Sequence, residues 1–361
     1  MPLVANSDLP SFQRLREVGG TVISRDRAEH QDIRELHIGL LNMMPDKALE
    51  ATERQFFRLV GESNQIAQFY MHPFSLPELA RGADGQSHVE RFYQSFEEIK
   101  CEGLDALIVS GAMPGPELSA LPFWKPLIQV IDWAYENVTS TLCSCLATHA
   151  VLEFRYAQKR RPLREKRWGV FSHQVTQRAH PLMVGVNTRF DVPHSRFNEL
   201  GRDQFAAAGL PVLVESAEAG VHLAVSGDGF RMVFFQGHPE YDEISLMKEY
   251  KREIGRYIQR EVNAYPPFPE NVFTPLHCAI LAEYRGQVEV AMHKAVPAPS
   301  FPEQLLAPDL HNTWHDSAEA VINNWIGAVY QLTHVDRRRP FRDGVNPSDP
   351  LGLRRGGSTR V

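Results

Sequence analysis

Two short segments of this 361-residue chain end in side chains that can carry out covalent chemistry. Residues 139–147 (TSTLCSCLA) have the pattern of a strand ending at Cys145, and residues 234–242 (FFQGHPEYD) that of a strand followed by His238 and Glu240. A thiol, an imidazole and a carboxylate at neighbouring strand ends form a nucleophile, a base and the group that orients the base. The pattern therefore predicts acyl transfer through a cysteine thioester.

Cys145 fits the nucleophile position better than its neighbours do. A strand-to-helix elbow needs small residues two places before and two places after the nucleophile, and here these are Cys143 and Ala147. The adjacent serine would place leucines at both positions. A helix is predicted over 146–158, and its N-terminus would favour a thiolate. The N–H of Leu146 would point toward a developing oxyanion.

Three other interpretations of this segment stay open. Cys145 could be a small buried apolar residue, which is the usual state of a free cysteine. Cys143, Cys145 and His149 could bind a metal, but their spacing lacks the second ligand pair of a structural zinc site, so we predict no metal. His149 could act as the base, but a side chain inside a helix normally faces the core, and we favour His238.

Composition limits the class of protein. Hydrophobic residues at 43% and charged residues at 23% are ordinary values for a globular chain with a normal core. The net charge of −6 argues against general nucleic-acid binding, and no apolar run is long enough to predict a membrane span. The first residues lack the pattern of a secretory signal. Four cysteines are too few for a disulfide framework, so we expect a cytoplasmic protein.

Strands and helices alternate from residue 35 to about residue 262. Apolar strands are predicted at 36–41, 66–71, 106–109 and 232–235, and helices at 47–60, 89–99, 122–137 and 243–262. The alternation predicts an α/β fold with a mainly parallel sheet flanked by helices on both faces, with extra strands between 168 and 225. Ligands of such sheets bind at the carboxyl ends of the strands, where Cys145 and His238 are expected.

Three segments lie outside this alternation. Residues 1–34 are polar and irregular, and we expect a lead-in that wraps on the surface. Residues 263–308 are rich in proline, and we interpret them as an insertion packed on the main domain, which we place at 35–335. Residues 336–361 are rich in proline, glycine and arginine, and we predict a disordered tail.

Several longer motifs make the chain similar to a known family. They include LNMMPDK (41–47), DALIVSGAMPG (105–115), VTSTLCSCLA (138–147), EKRWGV (165–170), PHSRF (193–197) and GHPEYD (237–242). With these motifs the chain resembles the homoserine O-acyltransferases of methionine biosynthesis, in the branch with a class I glutamine-amidotransferase-like (flavodoxin-like) fold. The resemblance implies acyl transfer from an acyl-CoA to L-homoserine, with no bound cofactor and no metal.

The resemblance also implies roles for individual residues. The catalytic roles of thioester nucleophile, base and orienting carboxylate belong to Cys145, His238 and Glu240. Substrate contacts are implied at Lys166, Ser195 and Arg252. The guanidinium of Arg252 can hold the α-carboxylate of homoserine through two parallel hydrogen bonds. Each of the three substrate-contacting residues, taken alone, would read as an ordinary surface or capping residue.

Gly115 bears on the choice of acyl donor. In the family, glutamate at this position accompanies acetyl transfer and glycine accompanies succinyl transfer. Glycine leaves room for the longer acyl chain and removes a negative charge that would repel its carboxylate. We therefore expect succinyl-CoA as the co-substrate and O-succinyl-L-homoserine as the product. The alternatives are acetyl-CoA as donor or serine as acceptor, an amidotransferase or hydrolase with the same triad, and a catalytically silent binding protein.

The chain departs from the family around the expected oxyanion hole. Relatives commonly have two lysines where this chain has Asp46 and Lys47, and a tryptophan where it has Leu146. The change at Leu146 leaves its N–H available as a donor. The resemblance thus implies Leu146 and Lys47 as the oxyanion-hole residues. It also implies a homodimer.

Overall fold

The computed structural model describes residues 3–31, 33–64, 66–112, 115 and 117–355. The strands in these residues are β1 (Leu3–Ala5), β2 (Val22–Ser24), β3 (Glu35–Met43), β4 (Gln68–Phe74), β5 (Ala106–Ala112), β6 (Ser140–Ser144), β7 (Arg161–Val175), β8 (Arg189–Glu199), β9 (Val212–Ser216), β10 (Gly220–Val225) and β11 (Met232–Phe235). The α-helices are α1 (Pro10–Glu17), α2 (Arg25–Glu29), α3 (Asp46–Ser63), α4 (Ala83–Phe92), α5 (Phe96–Glu102), α6 (Trp124–Asn137), α7 (Leu146–Tyr156), α8 (Arg202–Ala207), α9 (Ser245–Ile258), α10 (Pro275–His293), α11 (Glu303–Leu306) and α12 (His315–Leu332).

The described strands form one sheet in the order β2-β1-β4-β3-β5-β6-β11-β10-β9-β7-β8. Neighbours from β2 to β11 in this order run parallel, and those from β11 to β8 run antiparallel. The predicted α/β class with a mainly parallel sheet is confirmed. The antiparallel part corresponds to the extra strands expected between 168 and 225.

Helices cover both faces of this sheet. Alternate residues of β5 divide between two apolar clusters, since Ile108 packs in one and Leu107 in the other. The first cluster also holds buried side chains of α3 and α12, including Trp325, and the second holds side chains of α6 and α7, including Leu127. The sheet is therefore buried on both sides, as expected for parallel strands linked by helices.

The register of two adjacent strands places the expected catalytic segments side by side. Phe234 and Phe235 of β11 pair with Cys143 and Ser144 of β6 in parallel. Both strands end at this pair, so Cys145 and the segment leading to His238 leave the same edge of the sheet. This is the carboxyl edge predicted from the alternation.

The first 34 residues are more regular than expected. β1 pairs in parallel with β2 and with β4, so the segment extends the sheet at its edge. Phe12 and Leu15 of α1 are buried in the core. The single helix predicted over 89–99 is instead two helices, because Ser95 and Glu98 form a capping box that starts α5.

The proline-rich segment 263–308, predicted to be an insertion, contains the 19-residue helix α10, which the sequence did not indicate. Leu281, Tyr284 and Val288 of α10 are buried against α9 and against Trp168 of β7. The carbonyl of Glu270 accepts a hydrogen bond from the N–H of Val170 at 2.9 Å, which fastens the segment to β7.

The expected disorder of the tail is corrected for residues 336–355. Phe341 is buried at 7% exposure, and its ring lies 5.4 Å from the guanidinium of Arg231. The N–H of Arg342 donates to the carbonyl of Leu332 at 2.9 Å. Arg354 donates to the carbonyl of Gly227, also at 2.9 Å. Residues 356–361 lie outside the described part, so the prediction for them stands untested.

Replacing Phe341 with alanine tests whether the tail belongs to the folded domain. Removing a buried phenyl ring costs about 3–5 kcal/mol, so Phe341→Ala should lower the free energy of unfolding by about that amount. Ser348→Ala, at an exposed position of the same segment, is the matched control and should change it by less than about 0.5 kcal/mol. Urea unfolding measures both. Equal, negligible effects would show that the tail is detached in solution.

Candidate active site

Cys145 sits in a strained turn between β6 and α7. Its φ and ψ angles are 51° and −107°, a region that non-glycine residues rarely adopt. The N–H of Cys145 donates to the carbonyl of Phe235 at 2.8 Å, and the hydroxyl of Thr148 donates to the same carbonyl at 2.8 Å. These bonds hold the turn so that the sulfur leaves the sheet edge, which is the geometry of a nucleophile elbow.

His238 is positioned by the backbone of β8 and by the glycine before it. Its N–H donates to the carbonyl of Pro193 at 2.8 Å. A Cβ on Gly237 would lie 2.5 Å from a methyl carbon of Val192, so only glycine allows this close approach. The ring Nδ1 lies 2.8 Å from Oε1 of Glu240, and the ring stacks on Tyr241 with centroids 4.4 Å apart.

The electrostatics favour a charged imidazole beside the sulfur. His238 is within hydrogen-bonding reach of Cys145. Burial disfavours the charged ring, but the Glu240 carboxylate and the Cys145 sulfur outweigh it and raise the pKa of His238 to about 10. Cys145, His238 and Glu240 are therefore brought together as the sequence analysis expected.

The two other candidates for the base and the nucleophile, His149 and Cys143, lie in different surroundings. His149 has its Nε2 atom 3.1 Å from Oε1 of Gln236, and burial lowers its pKa to about 3. A ring that is so weakly basic is a poor proton acceptor at neutral pH. The thiol of Cys143 is fully buried, and burial raises its pKa well above the usual value. Neither residue matches the environment of Cys145 and His238.

Cys145 opens into a cavity of about 920 Å³. Both expected oxyanion residues, Leu146 and Lys47, line it. Leu146 is the first residue of α7, and Lys47 lies in the first turn of α3. Two helix N-termini thus meet at this end of the cavity, where their partial positive charges favour an anion. The structure brings together all the other sequence-predicted substrate residues on the same lining: Gly115, Lys166, Ser195 and Arg252.

A buried carboxylate that the sequence analysis missed lies among these residues. Glu249 of α9 accepts hydrogen bonds from Ser195 at 2.6 Å and Tyr241 at 2.6 Å, and Lys166 donates to it at 3.3 Å. We call these four residues, with Arg252 one turn along α9, the Glu249 cluster. Burial would raise the pKa of Glu249, but Lys166 and the two hydroxyls hold it below its usual value.

Gly115 lines the cavity, but the space that a side chain at this position would enter is already occupied. A Cβ at this position would lie 2.5 Å from a methyl carbon of Leu121, so a side chain would first displace that leucine. The carbonyl of Gly115 accepts a hydrogen bond from Arg160, which also lines the cavity. The neighbouring Met113, Pro114 and Pro116 lie outside the described residues.

The described part of the chain contains one possible metal-binding group and no helix suited to crossing a membrane. One group there has the spacing to hold a metal ion, formed by Glu62, His315 and Glu319, and none of its members lines the cavity. Its three side chains already pair with one another, because the imidazole of His315 lies 3.4 Å from Glu62 and 3.5 Å from Glu319. No helix in the described ranges has the length and apolar character to cross a membrane.

The fold and these residues place the chain among α/β enzymes with a Cys–His–Glu site. The family model for homoserine O-succinyltransferase (HTS) matches residues 2–335. Homoserine O-succinyltransferases from Nitrosococcus oceani and Allochromatium vinosum are 68% and 64% identical to it, over 98% of this chain and 99% of each relative. A solved glutamine amidotransferase from Methylobacillus flagellatus is 11% identical, with a TM-score of 0.44, over 82% of this chain and 95% of its own. This chain belongs to the homoserine O-succinyltransferase family.

The raised pKa of His238 predicts how stability depends on pH. The interactions of the charged His238 ring contribute fully to the free energy of unfolding below its ordinary pKa of 6.5, where the ring is protonated in the folded and unfolded chains. This contribution is lost as pH rises through about 10. Glu240→Gln removes a main cause of the raised pKa. The wild type should therefore exceed this variant in free energy of unfolding most at pH 6.5, and less toward pH 10.

Urea unfolding of both proteins at a series of pH values makes this measurement. Glu218→Gln removes an exposed carboxylate and is the matched control, for which we expect a small difference that does not change over this range. A difference for Glu240→Gln that stays constant from pH 6.5 to pH 10 would contradict the pairing of Glu240 with a charged His238.

Proposed function

We propose that this protein transfers a succinyl group from succinyl-CoA to the hydroxyl of L-homoserine, giving O-succinyl-L-homoserine and CoA. The observation that carries the proposal is the strained Cys145 within hydrogen-bonding reach of a His238 that is held by Glu240. Membership of the homoserine O-succinyltransferase family supports the identity of the substrates. The product belongs to methionine biosynthesis.

The first half-reaction acylates the cysteine. The thiolate of Cys145 attacks the thioester carbonyl carbon, and the negative charge moves to the carbonyl oxygen. The proposed oxyanion donors are the N–H of Leu146 and the start of α3 at Lys47, since both residues line the cavity. When the carbon–sulfur bond to CoA breaks, the leaving thiolate takes the proton from His238. Succinyl-Cys145 and free CoA result.

The second half-reaction transfers the succinyl group to the acceptor. His238 takes the proton of the homoserine hydroxyl, and the oxygen attacks the succinyl carbonyl. The bond to Cys145 then breaks and returns the thiolate, beside the imidazolium that now carries the proton. Because two substrates use one site in turn, the kinetics should be ping-pong. Side chains and the co-substrate supply all of this chemistry, so we propose no resident cofactor or metal.

The Glu249 cluster is the proposed site for the amino-acid end of homoserine. An amino acid carries an ammonium and a carboxylate, and a tight site offers one group of each opposite charge. Glu249 is a buried carboxylate that can accept from the ammonium, and Arg252 is a guanidinium that can hold the carboxylate. Lys166 and Ser195 orient Glu249 through their hydrogen bonds to it.

The assembly and location are proposals of the same kind. We propose a homodimer, as the resemblance to the family implies, and light scattering of the purified protein would measure its mass. We propose the cytoplasm as its location. The four cysteines are all free in the structure, which agrees with a reducing compartment.

Removal of the nucleophile tests the mechanism. Cys145→Ala should lower kcat at least about 1,000-fold, because the covalent intermediate cannot form. Circular dichroism should show that the variant stays folded. Cys101→Ala is the matched control, since Cys101 is an exposed free cysteine, and it should keep full activity. Turnover by Cys145→Ala near the wild-type rate would refute the thioester mechanism.

Neutralising Glu249 tests the acceptor site. Glu249→Gln keeps the shape but loses the charge, so KM for homoserine should rise about 10–100-fold, the value of a hydrogen bond to a charged group. Release of one equivalent of CoA without homoserine reports the first half-reaction and should be unchanged. Glu243→Gln, at an exposed position just before α9, is the control. A lost CoA burst with an unchanged KM would place Glu249 elsewhere in the mechanism.

A further inference from the structure

Arg160 is a cationic side chain in the cavity to which neither the sequence analysis nor the mechanism gave a role. It lies in the connection between α7 and β7 and is half-buried. It lines the cavity together with Cys145, with Gly111 near the end of β5 and with Gly115 just after that strand. Its Nη2 atom donates to the carbonyl of Gly115. That contact fixes one nitrogen of the guanidinium and leaves its other donors for a ligand.

The other cations of the lining differ from Arg160 in their partners. Lys166 is paired with Glu249 at 3.3 Å, and Arg252 and Arg256 lie 3.6 and 2.9 Å from Glu253. Lys47 has no ion pair in the described residues, but it is exposed. Within the described ranges Arg160 is half-buried, has no carboxylate at ion-pair distance and bonds to a neutral carbonyl. A carboxylate placed there would complete its charge balance.

A second arginine, Arg196, also carries positive charge on this side of Cys145, and its Nη2 atom lies 3.9 Å from a carboxylate oxygen of Glu199. Arg196 is 3% exposed and lines the cavity, and its Nε atom is buried without a hydrogen-bond partner in the described structure. Burial is the main cause of the low pKa of His149, and the positive charges of Arg196 and Arg160 lower it further. Both guanidinium charges therefore act on the same part of the lining, beside the residue that would carry the acyl group.

We infer that Arg160 binds the terminal carboxylate of the acyl group carried by Cys145, so that the site selects acyl donors with a second carboxylate. The inference rests on the proposed thioester mechanism and names the group that recognises its donor. A guanidinium can hold a carboxylate through two parallel hydrogen bonds, and the bond to Gly115 orients it beforehand. Gly115 thus acts through its carbonyl as well as through its lack of a side chain.

The test compares two donors that differ only in the terminal group. Succinyl and butyryl thioesters of N-acetylcysteamine have equal carbon chains and carry no nucleotide phosphates, so contacts to CoA cannot contribute. Release of the thiol at saturating homoserine gives kcat/KM for each donor. Arg160→Gln should lower kcat/KM for the succinyl donor about 100-fold and that for the butyryl donor less than about twofold. Arg160→Lys should recover part of the succinyl rate.

Lys159→Gln is the matched control, because it removes an adjacent exposed charge that does not line the cavity. It should keep the wild-type preference for the succinyl donor. Equal losses with both donors in Arg160→Gln would overturn the inference, and so would an unchanged preference. A wild type that does not transfer the succinyl group of succinyl-CoA to homoserine would instead contradict the proposed function, and the inference would fail with it.

Discussion

The contact between Cys145 and His238 is the interaction on which the rest of the site depends. It exists because β6 and β11 are adjacent and parallel and end in register, with Ser144 opposite Phe235. A one-residue shift between these strands would turn their side chains to opposite faces and separate the thiol from the imidazole. The hydrogen bond from the Cys145 N–H to the Phe235 carbonyl joins the carboxyl ends of β6 and β11.

Charge is distributed along the cavity in a way that suits two different substrates. Beside the sulfur are a protonated His238 and two helix N-termini, which favour the anionic oxygen of an acyl-transfer intermediate. Farther along, Glu249 supplies a buried negative charge. One lining can thus accept a negatively charged acyl donor and the ammonium end of an amino acid in turn. Segment 263–308 supports this region, because its apolar side chains pack against Trp168, and the ring of Trp168 contacts the ammonium of Lys166.

The sequence could predict those parts that depend on local patterns. β11 spans 232–235, as its apolar run predicted, and the small residues around Cys145 indicated the elbow. Glu249 was missed because an acidic residue on a helix is normally exposed to solvent. Its burial depends on Lys166, which is 83 residues away in the chain and could not be paired with it from the sequence. Helix α10 was missed because prolines on both sides hid its apolar spacing. The tail was misjudged because its few apolar residues, Phe341 among them, are scattered through a polar segment with no helical or strand spacing.

The central claim is that Cys145 carries the acyl group. Mass spectrometry of the intact protein after brief exposure to succinyl-CoA, without homoserine, tests it most directly. We predict a mass increase of one succinyl group, mapped by peptide analysis to residues around Cys145 and discharged when homoserine is added. A protein that turns over its substrates but never gains this mass, or gains it at another residue, would contradict the account.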